Sequence, residues 1–126
     1  MKFPENLKYS EDHEWVKIDG NIATIGITEF AQGELGDVVF IELPKVDDEL
    51  NENKPFGTIE AVKTVSDMLS PLSGKVMEVN ESLNDEPETI NSDPYEKGWI
   101  VKIEFSDKDE LKNLMDSKSY KEFVGK

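Results

Sequence analysis

One lysine in this chain stands where covalent chemistry could be done to it. Around Lys63 the sequence reads FGTIEAVKTVSDMLSPLSGKVMEVN over residues 56–80. Ile59, Ala61 and Val65 recur at even spacings about the lysine, and a second alternating run occupies 74–80. A period of two belongs to strands, and Pro71 with Ser73-Gly74 supplies turn chemistry between the runs. The chain is therefore expected to rise to a bend at Val62-Lys63-Thr64 and return, leaving the Lys63 amine at the tip. All 14 basic residues are lysines, and a lysine is ordinarily a solubilising surface group. Lys63 differs in its company. Gly57 lies six residues before it and Gly74 eleven after it, at points expected to need positive φ, while Glu60 and Asp67 put carboxylates on the two arms. A partner enzyme can reach an amine so placed without meeting the body of the domain.

No other constellation promises catalysis. His13 is the only histidine, and no serine or cysteine nucleophile pattern offers it a proton to take, so a structural role is expected. Zero cysteines exclude disulfides, thiolate catalysis and cysteine-ligated zinc. Redox chemistry would have to arrive on an attached group. The 28 acidic residues against 14 lysines give a net charge of −14, which disfavours nucleic acid as a partner. The same field keeps the protein soluble and speeds docking onto basic patches of other proteins. With 37% hydrophobic and 33% charged residues, the 126 residues fit one globular domain, 1–126. The start, MKFPENLKYS, shows no targeting signal and no apolar run reaches membrane-spanning length. A cytoplasmic protein with no membrane partner is expected.

The elements that must position the lysine read mainly as β. Residues 1–10 are polar and expected as an N-terminal arm. Glu14 to Ile18 alternate, Asp19-Gly20 signals a type I′ hairpin, and Ile22 to Ile27 return. Thr28 is suited to cap a short helix over 29–35, with Gly36 as its left-handed terminator and Phe30, Ala31 and Leu35 facing the core. Residues 37–43, DVVFIEL, read as a buried strand ended by Pro44, and 46–54 as an acidic loop with a short edge strand. Residues 81–94 are expected as an ordered loop pinned by Leu83 and Ile90. Residues 98–105 alternate as the last core strand. Ser106 then opens one helix carrying Leu111, Leu114 and Met115 on one face, and Ser117 a second through Tyr120 and Phe123.

Four stretches carry a resemblance. GTIEAVKTVSDMLSPLSGKVMEVN, YSEDHEWVKI, ATIGITEFAQGELGDVVFIELP and INSDPYEKGWIVKIEF resemble segments of the glycine cleavage system H-protein family, covering essentially the whole chain. The resemblance implies a lipoyl-domain-type β-sandwich, or barrel-sandwich hybrid, of two antiparallel sheets with a helix near 28–35 and a C-terminal helical segment over 106–125. It implies a carrier, not an enzyme, with lipoate attached covalently to Lys63. Biotinyl domains have methionine on both sides of their lysine, whereas Val62 and Thr64 flank Lys63, which favours lipoate over biotin. By the same resemblance Glu14, with Asp67, lines a cleft for the loaded arm; Glu60 and Asp67, on the two arms of the hairpin, are alternatively or additionally read as recognition marks for the lipoylating enzyme. Asp12, standing where the family often has a small polar residue, is given no role. The implied partners are a pyridoxal-phosphate glycine decarboxylase, a tetrahydrofolate-dependent aminomethyltransferase, an FAD-containing dihydrolipoyl dehydrogenase, and a lipoate-protein ligase or octanoyltransferase acting on a monomer. The arm would carry the aminomethyl group of glycine between the first two. A second use of the same hairpin, relaying lipoyl or octanoyl groups to other lipoyl domains, stays open on the sequence.

Overall fold

The computed structural model describes residues 1–125, so Lys126, the last residue of the expected domain, lies outside the described residues. Among the described residues nine strands form two antiparallel sheets, as expected for a sandwich of this type. The larger sheet has the order β1-β2-β3-β9-β8-β5, made from Lys8–Tyr9, Glu14–Asp19, Ile22–Ile27, Val101–Phe105, Gly74–Val79 and Glu49–Leu50. The smaller has the order β4-β6-β7, made from Val38–Glu42, Pro55–Ala61 and Val65–Leu69. Their inner faces enclose Val16, Ile25, Ile41, Ile59, Val76 and Ile103, all essentially inaccessible to water, and burial of such side chains is the main force holding the sheets together.

Alternation along β2 sends Val16 into this core and Trp15 to the opposite face. There a second cluster forms from Leu7, Tyr9, Trp15 and Tyr120, closed by helix α4, Ser117–Phe123. The supposed N-terminal arm is thereby tied down. Tyr9 is fully buried, stacks on Tyr120 with centroids 4.6 Å apart, and exchanges both backbone hydrogen bonds with Met115.

Several expectations shift by local geometry. The first hairpin turns at Gly20-Asn21, since Asp19 pairs with Ile22, and only Gly20 has positive φ, which type I′ does not allow. Helix α1, Glu29–Leu35, is capped as expected, Thr28 Oγ1 accepting from the Ala31 N–H at 3.1 Å. Gly57 and Gly74 do not sit at positive φ. They are strand residues at which another backbone crosses closely: a Cβ on Gly57 would lie 2.3 Å from the Glu42 carbonyl oxygen, and one on Gly74 2.4 Å from that of Glu104. Strand β4 is only half buried, because a bulge between Val38 and Phe40 keeps Val38 and Ile41 inward and leaves Val39 and Phe40 about half exposed. The 81–94 stretch is two helical turns, α2 at Ser82–Asp85 and α3 at Thr89–Ser92, with Leu83 and Ile90 fully buried as its pins. The helix expected to open at Ser106 is a 3₁₀ turn, Lys108–Asn113, capped by the Asp107 side chain. Among the described residues no helix is long and apolar enough to cross a membrane.

Candidate functional site

Strands β6 and β7 pair from Pro55↔Leu69 to Glu60↔Val65, and the hairpin closes with the Ala61 N–H donating to the Thr64 carbonyl at 2.8 Å. Val62-Lys63-Thr64 is the exposed tip. The tip is braced from the side, because the Val62 N–H donates to the Asp37 carbonyl at 3.0 Å at the entry to β4. Lys63 makes no ion pair or hydrogen bond with another described residue. Its aliphatic chain lies over Gly36, where a Cβ would come within 3.1 Å of Lys63 Cε. Gly36 follows Leu35, and Leu35 is one wall of a cleft.

That cleft, about 390 Å³, opens between helix α1, the 12–14 segment and strand β7. Ile27, Phe30, Leu35, Ile59 and Met68 supply apolar lining, while Asp12, Glu14, Glu34 and Asp67 supply carboxyl groups. The structure thus brings Glu14 and Asp67 together in one cleft from different sheets. Asp67 stands exposed on the edge strand, whereas Glu14 is only 4% exposed. Burial raises the Glu14 carboxyl from an ordinary 4.5 to about 8, with Asp12 adding to the effect. The Ser10 hydroxyl, donating to Glu14 Oε1 at 2.6 Å, and the Leu69 backbone N–H oppose it without cancelling it. Ser10 also accepts from the Glu14 N–H at 3.0 Å, so the carboxyl is held at both ends of its own residue. Glu60 is not in the cleft. It lies exposed on the outer face of the smaller sheet, between Phe40 and Val65 in the strand register.

His13 is structural in the sense expected, yet it also lines the cleft. Its φ is 68°, and its Nδ1 lies 2.9 Å from the Tyr120 hydroxyl, which is itself 2.8 Å from Thr28 Oγ1. Burial lowers the His13 pKa and raises that of Tyr120 to about 12. His13 Nδ1 and the Tyr120 hydroxyl are thus hydrogen-bonded to each other, and the phenol keeps its proton. This chain links α4, the cap of α1 and the loop that leads into Glu14 at the start of β2.

Sequence reasoning missed Asp12, Phe30, Glu34, Ser66 and Met68 as cleft residues. Alternation along 65–69 does put Ser66 and Met68 on one face, but which element lies opposite them is not written in the local pattern.

The chain matches the sequence profile of the family described as Glycine cleavage H-protein over residues 7–126. It belongs to the glycine cleavage H-protein family. Among curated relatives, the glycine cleavage system H proteins of Staphylococcus saprophyticus and Staphylococcus haemolyticus are each 59% identical over 125 residues, covering 99% of both chains. Among solved structures, that of a glycine cleavage system H protein from Mycobacterium marinum superposes with a TM-score of 0.87 at 34% identity, covering 98% of this chain and 99% of that one. H-protein membership thus extends over the hairpin and the cleft alike.

Proposed function

We propose that the protein is the lipoyl-lysine carrier of a glycine cleavage system, acting as a single carrier domain with lipoate in amide linkage to Lys63. The observation that carries this reading is the pairing of a solvent-exposed, unpartnered amine at a braced β-bend with an apolar cleft that ends in carboxyl groups. The residues present fit the group: the Lys63 chain lies over Gly36, the residue that follows cleft residue Leu35, and the lining of Ile27, Phe30, Ile59 and Met68 suits a hydrocarbon arm. Bound lipoate would supply a disulfide that can be opened, loaded with the aminomethyl group of glycine and reoxidised.

The chain's own residues supply shelter. Buried Glu14 binds a cationic end group by a charge-assisted hydrogen bond once it gives up its proton, and Asp67 faces the same space from the edge strand. Phe30, Leu35 and Met68 exclude water from the group so held. Partner enzymes are those of glycine cleavage: a decarboxylase that loads the arm, an aminomethyltransferase that unloads it and a dihydrolipoyl dehydrogenase that reoxidises it. Glu60, on the outer face beside the tip, is read as a mark for the enzyme that attaches the arm.

Intact mass spectrometry of the protein from its own source tests the reading. One lipoyl group mapped to Lys63, and none in a Lys63→Arg variant, is the expected result. An unmodified Lys63 in cells that contain lipoylated proteins would overturn it.

A further inference from the structure

The bulge in β4 does something a regular strand would not. Strict alternation from Val38 would turn Phe40 inward and Ile41 outward. Val38 and Phe40 instead pair with successive residues, Ala61 and Glu60, so Val39 is the inserted residue, and Val39 and Phe40 both face solvent at 54% and 50% exposure. Bulges re-aim side chains, and an exposed apolar edge strand is otherwise a liability. Beside this pair lie Val62 at 72% and Val65 at 61% exposure. Eight large hydrophobics are strongly exposed among the described residues, and these four all border the Lys63 hairpin. Phe40, Glu60 and Val65 form one continuous row across β4, β6 and β7. The Val62–Asp37 hydrogen bond ties the tip to β4, so the row and the tip form one surface.

We propose that this face, built from Val39, Phe40, Val62 and Val65 with Glu60 among them, is the docking surface for the enzyme that acylates Lys63, and that the partner presents an apolar depression rimmed by basic side chains. The proposal rests on the carrier reading and names the partner for this part of it. Reach selects the occupant. A bare lysine side chain extends only about 6 Å from its Cα, and neighbouring strands lie about 4.8 Å apart. An enzyme that brings an acyl carbonyl to that amine therefore also meets β7 and the start of β4, which the Val62–Asp37 bond holds beside the tip, where the sequence alone suggests an approach clear of the domain body. Enzymes that meet the lengthened arm have no such need. Charge selects the rim: Glu60 and Asp37 are exposed here, Lys63 is the cation at the tip, and the chain carries −14 overall. In the step itself the neutral amine attacks the carbonyl carbon of an acyl adenylate. The C–N bond forms as the C–O bond to AMP breaks, AMP leaves with the bonding pair, and the nitrogen loses its proton.

The test is steady-state acylation of the unmodified protein by a lipoate-protein ligase with octanoate and ATP, followed by intact mass. Phe40→Thr and Val39→Thr should each raise KM about tenfold, the size of a modest interface anchor, with kcat little changed. Met77→Thr, an exposed apolar site on β8 in the other sheet, should leave both constants unchanged. Val39→Thr, an exposed β-branched exchange at the bulge, keeps the test available if Phe40→Thr fails to fold. An unchanged KM for a folded variant would overturn the proposal. So would a wild-type dimer, in sedimentation, that the substitutions dissociate, since a second copy would then cover the face. A failure of wild-type Lys63 to be acylated at all would instead sink the carrier reading itself.

Discussion

Glu14 and Asp67 line one cleft although they belong to different sheets, Glu14 at the start of β2 and Asp67 within edge strand β7. The Leu69 backbone N–H, two residues beyond Asp67, favours the ionised form of Glu14. One carboxyl is buried and the other exposed, so their chemistry differs. Asp67 offers an exposed carboxyl group at the rim. Glu14 offers a carboxyl that burial keeps mostly protonated below about pH 8.

Glu14 should make the protein more stable in mild acid than in base. Its folded pKa is raised from 4.5 to about 8, so between those values the native state holds a proton that the unfolded chain has lost. Stability from this group is complete below pH 4.5 and falls as pH rises through 8. Glu14→Gln is neutral throughout and should gain on wild type by roughly 3–5 kcal/mol between pH 4.5 and 9. Urea denaturation at both pH values measures the difference; parallel behaviour of the two proteins would contradict the burial argument.

The same substitution should harm the carrier. Removing a charge-assisted hydrogen bond costs about 1.5–3 kcal/mol, so the aminomethyl group loaded on the arm of Glu14→Gln should hydrolyse roughly 10–100-fold faster. Asp67→Asn, at an exposed rim position, should show a smaller change. Loaded lifetimes followed by intact mass decide both, and equal lifetimes in wild type and Glu14→Gln would remove Glu14 from the role.

The hairpin was legible because period two, turn residues and an exposed tip are all local signals: 55–61 and 65–69 pair about the tip, although the three-residue bend puts Val65 outside with Glu60 and not inside with Ile59 and Ala61. The cap at Thr28 was legible for the same reason. Elements set by distant partners were not. Nothing near Tyr9 announces that it will exchange hydrogen bonds with Met115. The composition of 81–94 reads as loop, yet contacts that bury Leu83 and Ile90 wind it into two turns. Glu14 entered through resemblance alone, because its raised pKa comes from a burial that a strand-start glutamate does not reveal. Phe30 reads as a core-facing residue, and the cleft beside α1 makes it lining.

Tyr120 should be worth more than its ring. Its hydroxyl meets both His13 Nδ1 and Thr28 Oγ1, and its removal in Tyr120→Phe leaves those part-buried groups short of a partner. A loss of about 1–3 kcal/mol is expected, with faster amide exchange at Ala31, whose N–H rests on Thr28. Unaltered protection at Ala31 would mean that α1 is held by packing alone.

Two glycines should answer alanine with opposite signs. Gly33 lies in α1 with nothing within 4 Å of a new Cβ, so Gly33→Ala should stabilise by about 0.5–1 kcal/mol through lost unfolded-state freedom and better helix propensity. Gly57 lies under the Glu42 carbonyl at 2.3 Å and Met68 Cε at 2.7 Å from the same added atom. The methionine tip can move aside, but the backbone oxygen is held by the β4–β6 pairing of Thr58 with Glu42. Gly57→Ala should therefore cost about 1–3 kcal/mol, as overpacking does. Because it pries β4 from β6, it should also loosen the sheet that carries the Lys63 tip, visible as faster exchange of the Ala61 N–H. Thermal melts and exchange on the two variants check this together, and a Gly57→Ala protein as stable as wild type would show that the strand crossing has room the geometry denies.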